Sequence, residues 1–442
     1  MEVSGGRYVF GIGGGGMGTG AKRKNRVFGV VCVALLTLLP TTACISDAEP
    51  EPSAHARIDV DRPTALADEP LHIRVGGLRP GEEVTVTSRA VDRDGLSWSA
   101  QGRFTADDEG AVDLTRHRPA SGTYDRADAM GLFWSMRPRT GEADENWFAP
   151  RSPLRAASYD VRIAVRAGQR EIAHRTVTRR TRAEGVRHRT LTVADGGLDG
   201  ALFLPRDGAP RAAPVLLFGG SEGGRGLDLE AALLASRGHP ALSLCYFGCA
   251  GRPAQLRGIE LEYFARAARL LTDLPGAAPD RLAVMGGSRG SEAAQLLAQY
   301  HPGLVRDAVA VAPGTRTYWP EAGSDAEKAS WTRDGKPVLL EEIPLGHVRG
   351  TVLAVAGRKD RLWLAAPAAE SIARRTNAAG VRHRALIYAE AGHGVAGAPY
   401  RASGKYIHDP SANRWTDLGG TQAADARAKA DSWPRILELL GG

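Results

Sequence analysis

Around residue 184 the spacing of apolar residues changes, and that change restricts the chain to two kinds of layer built one after the other. Before it, short runs alternate polar with apolar residues: Leu71-His72-Ile73-Arg74-Val75, Glu83-Val84-Thr85-Val86-Thr87, Gly102-Arg103-Phe104-Thr105-Ala106, Ala111-Val112-Asp113-Leu114 and Tyr159-Asp160-Val161-Arg162-Ile163-Ala164-Val165. A period of two puts successive side chains on opposite faces of a strand, so each run offers one apolar face. Gly-Gly, Pro-Gly, Asp-Gly and Glu-Gly turns separate the runs, and a closing strand is predicted near residues 172–178. Such half-apolar strands need a second sheet against them. The pattern predicts an immunoglobulin-like β-sandwich over residues 56–183.

After residue 184 the runs become continuously apolar and alternate with helical segments. Arg189-Thr190-Leu191-Thr192-Val193 and residues 198–204 read as a hairpin, followed by a buried-type strand at Pro214-Val215-Leu216-Leu217-Phe218. Residues 227–237 and 261–271 are predicted helices, with strands at Pro240-Ala241-Leu242-Ser243-Leu244, Arg281-Leu282-Ala283-Val284-Met285, within the run 351–360 and at Arg384-Ala385-Leu386-Ile387-Tyr388. Strands apolar on both faces imply a mainly parallel sheet covered on both sides, and in such sheets ligands lie beyond the carboxyl ends of the strands.

Three polar residues fall at those ends. Ser288 lies in Gly286-Gly287-Ser288-Arg289-Gly290, between a predicted strand and the helix-forming residues 291–298. Strand, G-x-S-x-G, helix is the arrangement that holds a serine hydroxyl up on a strained turn. Asp360 ends the run 351–360, and His393 stands in Ala391-Gly392-His393-Gly394 after the last predicted strand. A serine hydroxyl is a weak nucleophile at neutral pH, so it needs a base, and the base needs a third group to fix its tautomer. Ser288, His393 and Asp360 supply those roles, in the chain order of an α/β-hydrolase. The predicted catalytic domain is residues 184–442.

Attack on a carbonyl creates an oxyanion, which backbone N–H groups stabilise. The predicted donors are Arg289, directly after the nucleophile, and Ser221 or Glu222 in Gly219-Gly220-Ser221-Glu222-Gly223-Gly224. Glu390 is a rival to Asp360 as the orienting acid, and Ser221 with Glu222 is a weaker rival pair lacking the elbow. Arg225, Arg289, Arg358 and Arg361 flank the predicted mouth, where they could meet an anionic substrate such as a nucleotide phosphate; solvated surface is the favoured reading for each in so arginine-rich a chain. The long irregular segment 313–347, with Trp319 and Trp331, reads as a partial lid near an acyl slot or as a surface excursion.

The N-terminal segment has its own pattern. Lys22-Arg23-Lys24-Asn25-Arg26 precedes an apolar stretch at 27–39 that is short for a bilayer span, and Thr41-Thr42-Ala43-Cys44 follows. Residues 1–44 are therefore predicted to be a signal peptide with lipoprotein-type cleavage before Cys44, the lipidated residue; an ordinary signal peptide is the alternative. Residues 45–55, rich in Asp, Glu, Pro and Ser, form a predicted tether. The glycine-rich first 20 residues have no periodicity, which leaves Met17 as a second candidate start. The implied location is outside the cell membrane, anchored to its surface. Of the formal charge of +7, residues 1–43 carry +4 through Arg7, Lys22, Arg23, Lys24 and Arg26 against Glu2, leaving +3. That is too little to indicate a nucleic-acid partner. Cys245 and Cys249 remain as a disulfide or as free thiols, both open. No metal-ligand spacing, P-loop or dinucleotide motif is present, so neither metal nor cofactor is expected.

From residue 56 to the end the chain resembles the acyl-CoA thioesterase and bile acid-CoA:amino acid N-acyltransferase family. In the first half Asp68-Glu69-Pro70-Leu71-His72-Ile73-Arg74-Val75-Gly76-Gly77-Leu78 and Asp128-Ala129-Met130-Gly131-Leu132-Phe133-Trp134-Ser135-Met136 carry the likeness. In the second half Leu261-Glu262-Tyr263-Phe264, the elbow, the Asp360 and His393 segments and Leu418-Gly419-Gly420-Thr421 carry it. The resemblance implies cleavage or transfer of acyl groups held as coenzyme A thioesters, through a covalent acyl-enzyme. Conjugating members use cysteine as nucleophile, whereas Ser288 is like the hydrolytic members. The resemblance thus implies an acyl thioester hydrolase; transfer to an amino acid, or exported carboxylesterase activity on other esters, are the alternatives. The leader sits uneasily with a coenzyme A substrate.

Overall fold

The continuously apolar runs of the second half pair side by side into one eight-stranded sheet. In the computed structural model, which describes residues 53, 55–317, 329–409 and 414–441, its strands are β1 (Arg187–Leu191), β2 (Asp199–Leu204), β3 (Val215–Phe218), β4 (Ala241–Cys245), β5 (Ala283–Gly287), β6 (Asp307–Val311), β7 (Val352–Gly357) and β8 (Arg384–Tyr388). Their order is β1-β2-β4-β3-β5-β6-β7-β8. The β1–β2 and β2–β4 pairs are antiparallel and the others parallel. Every residue of β3, β4 and β7 is buried, which requires cover on both faces. Helices α1 (Asp228–Ser236), α2 (Leu261–Thr272), α3 (Arg289–Tyr300), α4 (Ala365–Arg374) and α5 (Gln422–Gly441) supply it. This is an α/β-hydrolase fold. The predicted leader, Cys44 and nearly all of the predicted tether lie outside the described residues. Among the described residues no helix is long and apolar enough to cross a membrane.

In the first half, strands Arg57–Val60, Ile73–Gly76 and Val112–Asp113 form one small sheet. The second sheet runs Thr64–Leu66, Arg170–Arg180, Ser158–Ala167, Glu83–Val91, Ser97–Thr105, Ser121–Gly122, with Arg137–Pro138 also paired to Ser97–Thr105. Glu83–Val91 buries alternate residues along its length, as its period of two requires. Ile73, Val75, Val84, Val86, Trp98, Phe104, Ile163 and Val165 meet in one core. The resulting β-sandwich precedes the α/β sheet.

Residues 51–442 form one compact unit, so sandwich and α/β sheet are packed against each other. The buried Asp68 on the sandwich side accepts a hydrogen bond from the indole of Trp433 on α5 at 2.6 Å and pairs with Arg237 after α1 at 2.9 Å. Burial raises the Asp68 pKa against the pull of Arg237. A carboxylate removed from water in this way keeps its charge only while its partners stay in place.

In the segment predicted as a lid or a surface excursion, residues 334–337 are exposed while Trp331 is not. Trp331 is fully buried, in a three-stranded sheet of Ile259–Glu260, Trp331–Arg333 and Lys336–Pro337. Its ring packs on Tyr246 and Phe264, with centroids 5.8 and 6.1 Å away. An indole of that size contributes more stability in a core than over a pocket. Trp319 lies outside the described residues.

Candidate active site

Ser288 directly follows β5 and stands at the N-cap of α3 with φ +54° and ψ −124°. A side chain disfavours positive φ, at a cost of order 1–3 kcal/mol that the surroundings must offset. The flanking glycines explain how the surroundings do so. A Cβ on Gly286 would stand 2.1 Å from the Gly290 carbonyl oxygen, and one on Gly290 2.2 Å from that of Gly219. Strand, helix and the loop after β3 therefore cross at a distance only bare backbone permits. Gly290→Ala is expected to cost about 2 kcal/mol or more through this overpacking. A thermal melt of the variant equal to wild type would show the crossing to be loose.

Asp360 and His393 are brought together. The His393 Nδ1 lies 2.8 Å from Asp360 Oδ2, with side chains 11% and 2% exposed. The other Asp360 oxygen accepts the backbone N–H groups of Leu362 and Trp363, at 2.8 and 3.3 Å. Trp363 sets its indole edge-on to the His393 ring, 5.1 Å between centroids, and donates to the Ala312 carbonyl at 3.1 Å. The exposed Glu390 is not the partner of Nδ1.

The backbone beneath this pair is interlocked. Side chains at Gly357 and Gly392 would strike the carbonyl oxygens of Gly392 and Gly419, at 2.2 and 2.3 Å. The His393 N–H donates to Leu418 at 2.8 Å, and that of Gly392 to the buried Asp425 carboxylate on α5 at 2.7 Å. Burial raises the Asp425 pKa and pushes the ammonium of the buried Lys429, one turn on, down to about 8. Lys429 donates to Ser403 at 2.6 Å. The sequence reading missed Asp425; an acid in the first turn after Leu418-Gly419-Gly420-Thr421 was the available signal.

The loop after β3 runs beside Ser288: a Cβ on Gly220 would come within 2.7 Å of the Ser288 Cβ. The two expected donors in it, Ser221 and Glu222, are exposed. The Glu222 carboxylate folds back onto the Gly220 N–H, at 2.9 and 3.0 Å, which engages it in shaping the loop rather than in the rival serine–glutamate pair.

Beneath the nucleophile's helix the solvated reading of Arg289 is corrected. Its guanidinium is buried, 2.7 Å from the buried Glu292 carboxylate one turn along, with Ser330 as a further partner. Trp331 donates to the other Glu292 oxygen at 2.8 Å. Arginine's five donors suit a buried site where planar partners surround it. Arg358 and Arg361 are exposed and paired with Glu370 and Asp417, and Arg225 is partly buried beside Asp199.

Burial outweighs Arg289 and pushes Glu292 up to about 7 from its ordinary 4.5. The folded chain then keeps a proton that the unfolded chain releases across that window. The stabilisation is complete below 4.5 and is lost as pH rises through about 7. Glu292→Gln is expected to flatten the fall in stability between those values, read as urea midpoints on either side; an unchanged slope would remove Glu292 from the account.

Cys245 and Cys249 are joined as a disulfide. With Asp199 they are the one close grouping of metal-ligand types among the described residues, and their sulfurs are bonded to each other.

Residues 68–193 match the family described as the acyl-CoA thioester hydrolase/BAAT N-terminal region, and residues 326–441 that described as the BAAT/acyl-CoA thioester hydrolase C terminal. The chain is similar to acyl-coenzyme A thioesterase 1 of Mus musculus, 27% identical over 395 residues covering 84% of this chain and 92% of that protein. It is 28% identical to the mitochondrial acyl-coenzyme A thioesterase 2 of Homo sapiens over 410 residues, 85% of this chain and 82% of that one. Among solved structures, the hyperthermophilic esterase of Pyrobaculum calidifontis aligns with a TM-score of 0.33 and 20% identity, over 46% of this chain and 75% of that one.

Proposed function

Because the chain belongs to the acyl-CoA thioester hydrolase/BAAT family, we propose that it hydrolyses acyl thioesters through Ser288, His393 and Asp360 by way of a covalent acyl-enzyme. The observation that carries the reading is the 2.8 Å contact of His393 Nδ1 with a carboxylate, in a sheet whose strand–helix crossing holds Ser288 at φ +54°. Ser288 Oγ attacks the acyl carbon as His393 Nε2 takes its proton. The negative oxygen is met by the N–H of Arg289 and that of Ser221 or Glu222. Collapse breaks the carbon–sulfur bond, and the imidazolium returns its proton to the leaving thiolate. Water, activated by the same imidazole, then releases the acid.

Hydrolysis is favoured over transfer to an amino acid by the serine nucleophile. Export and a lipid anchor at Cys44 belong to the same proposal, supported by the leader pattern and by a disulfide, which persists in oxidising compartments. In that setting a thioester or ester other than one of coenzyme A is the competing substrate. The deciding experiment offers the purified chain acyl-coenzyme A thioesters and simple esters, with and without free amino acids. Thiol release independent of the amino acids, and blocked by a fluorophosphonate, is expected. Conjugate formation in place of free acid would replace this reading with transfer, and turnover that resists the fluorophosphonate would remove the serine mechanism.

A further inference from the structure

At the carboxyl end of β4 the chain turns through Cys245-Tyr246-Phe247-Gly248-Cys249, and the disulfide closes that turn. The turn grips the loop after β3 at both ends. At one end the buried Tyr246 hydroxyl lies 2.7 Å from the Gly220 carbonyl oxygen and 3.0 Å from that of Gly219, donating between them. At the other, the Phe247 carbonyl accepts the Gly224 N–H at 3.0 Å. Tyr246 is itself wedged among Phe218, Phe264 and Trp331. The Cys245 carbonyl accepts the hydroxyl of Tyr263 on α2 at 2.8 Å, tying the near end of the turn to the domain core.

The gripped loop has reason to need holding. Four of its six residues, 219–224, are glycines, and glycine has more backbone freedom to lose than any other residue. A backbone N–H stabilises an oxyanion only when it already points at the place where the charge forms.

We propose that the disulfide-closed turn 245–249 is a clamp on loop 219–224, with Tyr246 as a positioning residue, so that turnover depends on the oxidised state of Cys245 and Cys249. The inference rests on the reading that this loop gives a backbone donor to the reacting carbonyl. Reduction by a dithiol such as dithiothreitol breaks the S–S bond. Two electrons and two protons pass to the protein as two thiols, and the reductant closes to its own disulfide. The turn then loses its covalent closure, and the loop it holds samples other shapes.

Four forms of the full chain test this: wild type, wild type reduced by dithiothreitol, Tyr246→Phe and the double variant C245S/C249S. Removing an oxyanion donor outright costs 10²–10³ in kcat, so loosening its loop is expected to lower kcat about tenfold in the three altered forms. KM should stay within about twofold, because binding the substrate does not require that donor. The acid limb of kcat/KM should not move, since His393 and Asp360 are untouched; damage reaching the whole site would shift it. Wild type should recover on reoxidation, and the double variant should ignore the reductant. Should the double variant not fold, reduced wild type and Tyr246→Phe decide. Values of kcat within about twofold of wild type in those forms overturn the clamp. Ser288→Ala, run alongside, separates the failures: if it stays active, the underlying serine mechanism is at fault and not the clamp.

Discussion

Ser288→Ala is expected to lower kcat for thioester hydrolysis by about a million-fold, the loss seen when the nucleophile of a serine triad is removed. What remains is the modest acceleration from the oxyanion donors and from binding. Alanine keeps the Cβ at φ +54° and so inherits the same backbone strain. Its melting temperature should therefore lie within a few degrees of wild type, corresponding to about 0.5 kcal/mol. Loss of turnover with an intact melt separates chemistry from folding. The variant should also fail to react with a fluorophosphonate that labels wild type stoichiometrically. Substantial turnover by the alanine form would end the proposal, since no other serine occupies a strand–helix crossing of this kind among the described residues.

Asp360→Asn is the second large effect, and the structure fixes which way the amide must turn. One Asp360 oxygen accepts two backbone N–H groups, from Leu362 and Trp363; the other faces His393 Nδ1. An asparagine satisfies the two donors only by giving them its carbonyl oxygen. Its NH₂ then faces Nδ1, which must become the acceptor, and the imidazole proton moves to Nε2. A protonated Nε2 does not take the serine's proton. A fall in kcat of about 10⁴ with little change in stability is expected, as for the same change in other triads. Kinetics alongside a melt would check it; a fall of less than tenfold would show that Asp360 is not the orienting acid.

Much of this was legible because local chemistry forced it. The elbow announced itself through Gly286 and Gly290, where an added Cβ would stand 2.1 and 2.2 Å from a backbone carbonyl oxygen. The fully buried β3 and β7 read as unbroken apolar runs, β4 as one broken only by Ser243, and Glu83–Val91 as an alternating one. What escaped depended on partners distant in sequence. Ser97–Thr105 begins five residues before its predicted start, although Trp98 is buried in the sandwich core. Arg289 looks like surface until Glu292, Ser330 and Trp331 are folded around it. Trp331 looked like a cover because nothing local says that Tyr246 and Phe264 await it. Tyr246 itself carries no motif, and its meaning comes only from the two carbonyls within reach of its hydroxyl.

The weave under His393 bears on how the molecule matures during synthesis. His393 takes its backbone support from Leu418, and Gly392 from Asp425 in the final helix. The elbow ends at Gly290, more than a hundred residues before either partner, yet the imidazole has no seat until residues 418–425 have been made and have docked. A chain that stops short of α5 would lack the Asp425 carboxylate under Gly392, leaving the elbow formed but the turn that carries His393 without that support.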